Sequence, residues 1–318
     1  MGASFLALFG KSNRFAGLSL SSGSLRYIEL EGRVGDLSVA RSGEVSIEGT
    51  AIEQEMISDT RSLEDHLMTL KGFIGGSWAP GTVLGMPSRE VLMRIVEMPS
   101  MEKEDAREAL KWDFEKYFPF PYSEAVFDLS PVDTPGEPDP STARFLVAAA
   151  RLRVVENLLD IAKRAGLVVG AMEPLNVPLY RCVKGPMAQG PITGTMVVYV
   201  GKTSSQIVVG FGDNGILYRT LLVGGKERPG SDGPFAAVSR EVASTFTYLA
   251  SQFRELRVDE VVLCGDHAGD RELTESVSEV SASPVLVSDP WSAWGIKGAP
   301  EERGGWEPTL GLAVRDLA

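Results

Sequence analysis

One order of elements occurs twice in this chain, and that repetition limits the folds open to it. Residues 15–20 form a short apolar run, then comes the turn Ser21-Ser22-Gly23-Ser24, a second run at 25–30 and a third near 37–40 after Gly35-Asp36. Far downstream, residues 195–200 and 205–211 flank the turn Gly201-Lys202-Thr203-Ser204, and 216–223 adds a third run ending at Gly224-Gly225. β-Branched and aliphatic runs between Gly- and Ser-rich turns read as a β-meander. Each meander then gives way to helices and further strands. Two meanders, each feeding α/β elements, predict two related lobes with a cleft between them.

Between the meanders, Leu63, Leu67, Leu70 and Ile74 fall at helical spacing and predict a helix over 63–73. Strands near 82–86 and 91–98 follow. A second helix is expected after Pro99, with Ser100 as N-cap, Glu102, Glu104 and Asp105 in its first turn, and Pro119-Phe120-Pro121 at its end. Its face carries Ala106, Leu110, Phe114, Tyr117 and Phe118. A proline-rich loop at 134–142, a strand at 144–150 and an amphipathic helix at 151–165 complete the first half. In the second half a polar stretch at 226–233 precedes a helix marked by Val238, Val242, Phe246, Leu249, Phe253 and Leu256. A strand at 260–264, a helix to about 280 and a strand at 284–288 follow.

Gly201-Lys202-Thr203 has the look of the end of a phosphate-binding P-loop. That motif needs a glycine five residues before the Gly-Lys pair, where Met196 stands, and a helix after it, where 206–211 is β-rich. The P-loop reading fails on both counts. What remains is a hairpin tip where Lys202 and nearby backbone N–H groups are suited to an anion. The net charge of −12 argues against nucleic acid as a partner. No apolar run approaches the roughly 20 residues that cross a bilayer, and the run at 5–9 lacks the flanks of a signal peptide. Two cysteines, Cys182 and Cys264, and two histidines, His66 and His267, cannot make a Cys/His-rich metal site, and both cysteines read as buried apolar residues. No Ser-His or Cys-His signature of nucleophilic catalysis is present.

Several stretches are similar to the PilM family of type IV pilus assembly proteins, a branch of the actin-like (sugar-kinase/Hsp70/actin) fold. "GLSLSSGSLR" at 17–26 resembles the family's opening Gly-Ile-Asp-Ile-Gly-Ser-Ser-Ser-Val-Lys. "EVLMRIVEMPSMEKEDAREALKWDFEKYFPFPYSEAVFDL" at 90–129 is the nearest match, to the small subdomain called 1C. "VYVGKTSSQIVVGFGDNGILYRTLLVGG" resembles the second phosphate hairpin, "VDEVVLCGDHAG" the adenosine-loop strand, "SDPW" the family's Asp-Pro-Phe, and "LGLAVRDL" its closing helix. The resemblance implies an α/β, duplicated two-lobe fold. Its first lobe would span 1–190 with a subdomain inserted at about 79–145, its second lobe 191–290, and 291–318 would return to the first.

The resemblance also shows what is altered. Actin-like ATPases carry an aspartate at the end of the first strand of each phosphate hairpin, to hold Mg²⁺ and water. Ser19 and Tyr199 stand there. The adenosine loop, usually Gly-Gly, reads Gly265-Asp266, and the helical insert after Gly224-Gly225 is shortened. The residues matching nucleotide-binding positions are Ser19, Ser21, Ser22, Gly23, Ser24, Gly201, Lys202, Thr203, Ser204, Gly224, Gly225, Gly265 and Asp266. Without both acids they are expected to bind neither metal nor ATP and to catalyse nothing.

The function expected is that of a cytoplasmic scaffold of a pilus or related secretion machine. It would bind the short N-terminal cytoplasmic peptide of a PilN-type inner-membrane protein, and through that partner sit at the inner face of the membrane. Leu92, Arg94, Val96, Glu97, Trp112 and Glu115, in the best-matched stretch, are the expected contacts, with the strand at 91–98 offering an edge to an extended peptide. The apolar 5–9 run with Lys11 and Arg14 is a further docking candidate. The alternatives are an active actin-like ATPase or kinase with an unusual metal site, and kinship with the type II secretion protein GspL.

Overall fold

The structure is a computed structural model that describes residues 14–47, 49–136, 139–186, 194–225, 233 and 235–317. The 5–9 run with Lys11, and most of the polar stretch 226–233, lie outside the described residues. The chain opens with β1 (Arg14–Leu20), β2 (Ser24–Arg33) and β3 (Asp36–Ser46), then the small hairpin β4 (Ile52–Glu53) and β5 (Met56–Ile57), then α1 (Thr60–Phe73) and β6 (Thr82–Met86). β7 (Val91–Pro99), α2 (Lys103–Tyr117), β8 (Ala125–Pro131) and β9 (Thr142–Arg151) follow, then α3 (Leu152–Arg164), β10 (Val169–Pro174) and α4 (Asn176–Lys184). The second half holds β11 (Gly194–Val200), β12 (Ser205–Phe211), β13 (Asn214–Leu221), α5 (Ala236–Gln252), β14 (Val258–Cys264), α6 (Arg271–Val280) and β15 (Val285–Val287). Last come α7 (Pro290–Ala293), β16 (Ile296–Lys297) and α8 (Glu307–Ala313).

The duplication is visible in strand order. Read from the third meander strand, one sheet runs β3-β2-β1-β6-β10 and the other β13-β12-β11-β14-β15. In both, the meander pairs are antiparallel and the remaining pairs parallel. Tight turns allow only antiparallel neighbours, whereas a strand reached through a helix arrives parallel. Hence α1 delivers β6 beside β1, and α5 delivers β14 beside β11. The central strands are buried on both faces, as in Leu18 and Ser19 of β1 and Val197 and Val198 of β11.

β7, β9 and β8 make a separate antiparallel sheet with α2 on one face. Its own core joins Val96, Met98, Phe127, Phe145 and Val147 to Ala106, Leu110 and Phe114 of the helix and to Phe118 just past its end. The inserted unit therefore starts at Val91 rather than 79, because Thr82–Met86 pairs with β1 in the first-lobe sheet. It also runs past 145, since β9 stays paired to Arg151. Ser100 does not cap α2. Glu102 stands at that position without a side-chain cap bond, and the Ser100 N–H donates to the Ser141 carbonyl instead (2.8 Å). α5 ends at Gln252, so Phe253 and Leu256 reach the second-lobe core from beyond the helix. Among the described residues, no helix is long and apolar enough to cross a membrane.

The C-terminal segment returns to the first lobe. β16 pairs in parallel with β3, and α8 lies against β1 and α4. Two glycines set how closely it lies. A Cβ at Gly17 would stand 2.4 Å from the Thr309 carbonyl oxygen, and one at Gly311 only 1.9 Å from that of Pro178. Both obstacles are backbone and cannot swing aside. Gly17→Ala is accordingly expected to cost at least about 1–3 kcal/mol in urea denaturation, the usual penalty of overpacking.

Candidate functional site

The cleft between the lobes is where the two equivalent hairpins meet tip to tip. Ser22 Oγ and Thr203 Oγ1 are hydrogen-bonded at 2.8 Å, and Gly23 packs on Lys202 and Thr203. Above this contact sits Glu55, fully buried at the turn between β4 and β5. Its Oε1 accepts from Ser22 N (2.9 Å), Ser22 Oγ (2.5 Å) and Ser204 Oγ (2.8 Å). One carboxylate oxygen thus ties the first hairpin to the second.

Arg26, in the strand after the first tip, makes the other tie. Its Nη2 donates to Glu44 Oε1 (3.1 Å) of its own lobe and to Asp266 Oδ1 (2.6 Å) of the other. Its Nη1 donates to the Gly305 carbonyl, and the Trp306 ring lies 5.7 Å from the guanidinium carbon. Lys202 reaches back across the cleft to Glu44 (3.2 Å). Burial pushes the Glu44 carboxyl up, but Arg26 and Lys202 outweigh it and hold the group below its usual range. Glu307, in the first turn of α8, is fully enclosed and accepts from Gly265 N (3.2 Å). There burial wins over its backbone bonds and the field of Arg26, and its carboxyl is raised.

These residues do not fit a magnesium triphosphate. Ser19 is turned to Thr309 Oγ1 (2.7 Å), a neutral hydroxyl pair at an expected metal-ligand position. Tyr199 is buried against Gly201, and burial raises its phenol far from ionisation. The hollow lined by Ser19, Arg26, Tyr199, Lys202, Gln206 and Asp266 measures about 20 Å³, room for a water. Glu44, Glu55 and Asp266 already supply negative charge where phosphates would bring more. Among the described residues, no group of three or more His, Cys, Asp or Glu is placed to hold a metal. Gly224 and Gly225 serve close packing, since a Cβ would meet the Lys202 carbonyl and the His267 ring. Cys182 and Cys264 are free and buried.

A second concavity, of about 930 Å³, lies on the face of the inserted sheet that turns away from α2. Met93, Leu146 and Ala148 form its floor, Met172 and Val177 its first-lobe wall, and Tyr218 its second-lobe wall. All six are partly exposed. Charged groups at its rim are paired among themselves, including Arg181–Glu173 (2.9 Å), Arg315–Glu173 (2.7 Å) and Lys184–Asp213 (2.5 Å).

The six contacts expected from sequence do not line this groove. For Leu92, Arg94 and Val96 strand parity is the reason: residues 92, 94, 96 and 98 point to the α2 side, whereas 93 points to the groove. Val96 is buried under α2 and is unavailable to a partner, and Leu92 packs beside it. Arg94 is exposed at the sheet edge, and Glu97 pairs with Arg144 (2.9 Å) beside a different hollow. Trp112, 91% exposed, and Glu115 stand on the outer face of α2. β7 is an outer strand, as an edge-lending role requires. Arg26, Glu44, Glu55 and Glu307 were not singled out as site residues. A charge interrupting an apolar strand, as in "SLRYIEL", was the available signal for Arg26.

Two measurements check this electrostatic reading. Arg26→Ala takes from Asp266 its cation and leaves Glu44 with Lys202 alone, and is expected to cost about 3–5 kcal/mol in urea denaturation. Glu307→Gln tests pH. An acid whose folded pKa is raised above its ordinary 4.5 destabilises the native state increasingly as pH rises from there toward the folded value. Glu307→Gln should therefore melt above the parent at pH 8 and level with it at pH 4.

Comparison with known proteins places this architecture. In solved structures the chain is similar to the PilM-PilN type IV pilus biogenesis complex, with 21% identity over 96% of this chain and 98% of that one and a TM-score of 0.78. It is also similar to the ethanolamine utilization protein EutJ from Carboxydothermus hydrogenoformans, with 12% identity over 95% and 89% and a TM-score of 0.52. These likenesses go with the actin-like fold. The family described as type IV pilus assembly protein PilM matches residues 17–228. The chain, matched over that length, belongs to the PilM family of type IV pilus assembly proteins.

Proposed function

We propose that the protein is a non-hydrolysing scaffold of a type IV pilus machine. It takes the short N-terminal cytoplasmic tail of a PilN-type membrane protein into the groove between the inserted sheet and the lobes. By this reading it works at the cytoplasmic face of the inner membrane, held there by its partner. The observation that carries the proposal is the groove's open apolar floor of Met93, Leu146 and Ala148 beside a rim of ion pairs that already satisfy one another. Apolar anchors of an extended tail would supply affinity there, while the rim sets orientation. Family membership and the PilM-PilN relative support the choice of partner. The net charge of −12 speeds encounter with a basic tail without specifying the contact.

The cleft supports the non-hydrolysing half of the reading, since the hairpin tips bond to each other where a nucleotide would need to enter. Calorimetry is expected to show no Mg-ATP binding at millimolar nucleotide, and incubation no phosphate release. Binding at micromolar concentration would sink this half.

The groove is tested with tail peptides of single-span pilus proteins. Ala148→Trp fills the floor and is expected to weaken binding by about 2 kcal/mol or more, roughly thirtyfold. Trp112→Ala should leave affinity unchanged, because that ring lies on the far side of α2. The reverse pattern would move the partner to the helix and reject the groove.

A further inference from the structure

The turn joining β4 and β5 is built against backbone preference. Gln54 (φ 49°) and Glu55 (φ 57°) both lie in the left-handed region. Two-residue hairpin turns with two positive φ angles ordinarily take Asn-Gly or Gly-Gly. Here two long side chains stand in those places. Arg89 braces the turn, its N–H donating to the Glu55 carbonyl (3.2 Å) and its guanidinium to that of Gln54 (3.1 Å).

The outcome is the placement of one carboxylate. Glu55 is 0% exposed, and its Oε1 collects three donors: a backbone N–H and a hydroxyl from the first hairpin tip, and a hydroxyl from the second. Its Oε2 is buried as well, with no partner. A backbone N–H and hydroxyls converging on one point form a cradle for an oxyanion. In this chain the anion is covalently attached.

We propose that Glu55 is a tethered oxyanion, filling a site for carboxylate- or phosphate-type anions that the two hairpin tips build jointly, and so latching the lobes together. Removing its side chain would turn the cradle into a site for a free oxyanion. The inference rests on these contacts alone and is independent of the partner reading. It accounts for the unfavoured conformation of two residues: from that turn the carboxylate reaches both tips.

The test is rescue of Glu55→Ala by small anions. Melting temperatures of the parent and the variant are compared in sodium chloride, sodium formate and sodium phosphate at matched ionic strength. In chloride the variant is expected to melt below the parent. Formate, phosphate or both should then raise the variant and leave the parent as it was in chloride. At tenfold over its dissociation constant, a bound anion multiplies the folded-to-unfolded ratio about elevenfold, a rise of roughly 2 °C for a chain of this length. Rescue by formate alone assigns the cradle to carboxylates, and by phosphate alone to phosphates. No rescue, or an equal shift in the parent, overturns the proposal. Should Glu55→Ala fail to fold in every salt, a double-mutant cycle on Glu55→Gln and Ser204→Ala decides. Loss of the Ser204 hydroxyl should reduce the folded-to-unfolded ratio about threefold less in the Gln background, and equal losses reject the latch.

Discussion

A guanidinium shut away from water must find carboxylates, and Arg26 finds one in each lobe. That constraint fixes the relation of the two halves. Rotating them apart would take Asp266 from Arg26 while leaving the charge enclosed beside Trp306, a loss far larger than an exposed ion pair would suffer. The other cross-lobe bonds depend on the same alignment: Lys202 with Glu44, Ser22 with Thr203, Glu55 with Ser204, and Gly265 with Glu307. None of them survives a shift of an ångström or two. Together they turn a fold built around a cleft into one whose cleft is stitched shut.

Sealing this polar centre and leaving an apolar groove open are related facts. The groove is walled by three units, the inserted sheet, the first lobe and the hairpin of the second, and Tyr218 belongs to the last of these. A groove shared among three units keeps its shape only if the units do not slide. The stitched cleft supplies that rigidity, and on the proposed function this lowers the ordering cost of docking an extended tail. On the proposed function, the bonded hairpin tips act as the stiffener of a docking platform.

Much of the fold was legible because its strongest signals are local. Gly- and Ser-rich turns between aliphatic runs define the meanders, and the helical stripes of α1, α2 and α5 are unbroken. What escaped was short or carried mixed signals. β10 is six residues with no alternation, and α4 opens with Pro178 in its first turn, where proline is tolerated yet reads as a breaker. The site was legible by position and not by contact. The sequence marks Ser19 and Tyr199 as departures, but only the fold shows that Glu55, some thirty residues from Ser22, supplies the anion, as Asp266 does for Arg26 across an even longer separation. The expected partner contacts lie apart from the groove for a sharper reason. A strand shows its two faces at alternate residues, and nothing in "VLMRIVEM" says which face α2 will cover.

The close packing of α8 on β1 has a consequence for how the protein is made. Gly17 and Ser19 belong to the first strand, yet the groups they pack against and bond to arrive at Thr309, 290 residues after Ser19. The first lobe, although synthesised first, cannot complete its core until almost the entire chain has emerged. Until then the first-lobe sheet presents an unfilled seam that Leu310, against Ile28, Leu30 and Leu37, and Leu312, against Val83, will later cover. Such a long sequence separation slows folding and prolongs the life of an exposed apolar strand. Nascent chains stalled before α8 should thus be the species most in need of a chaperone.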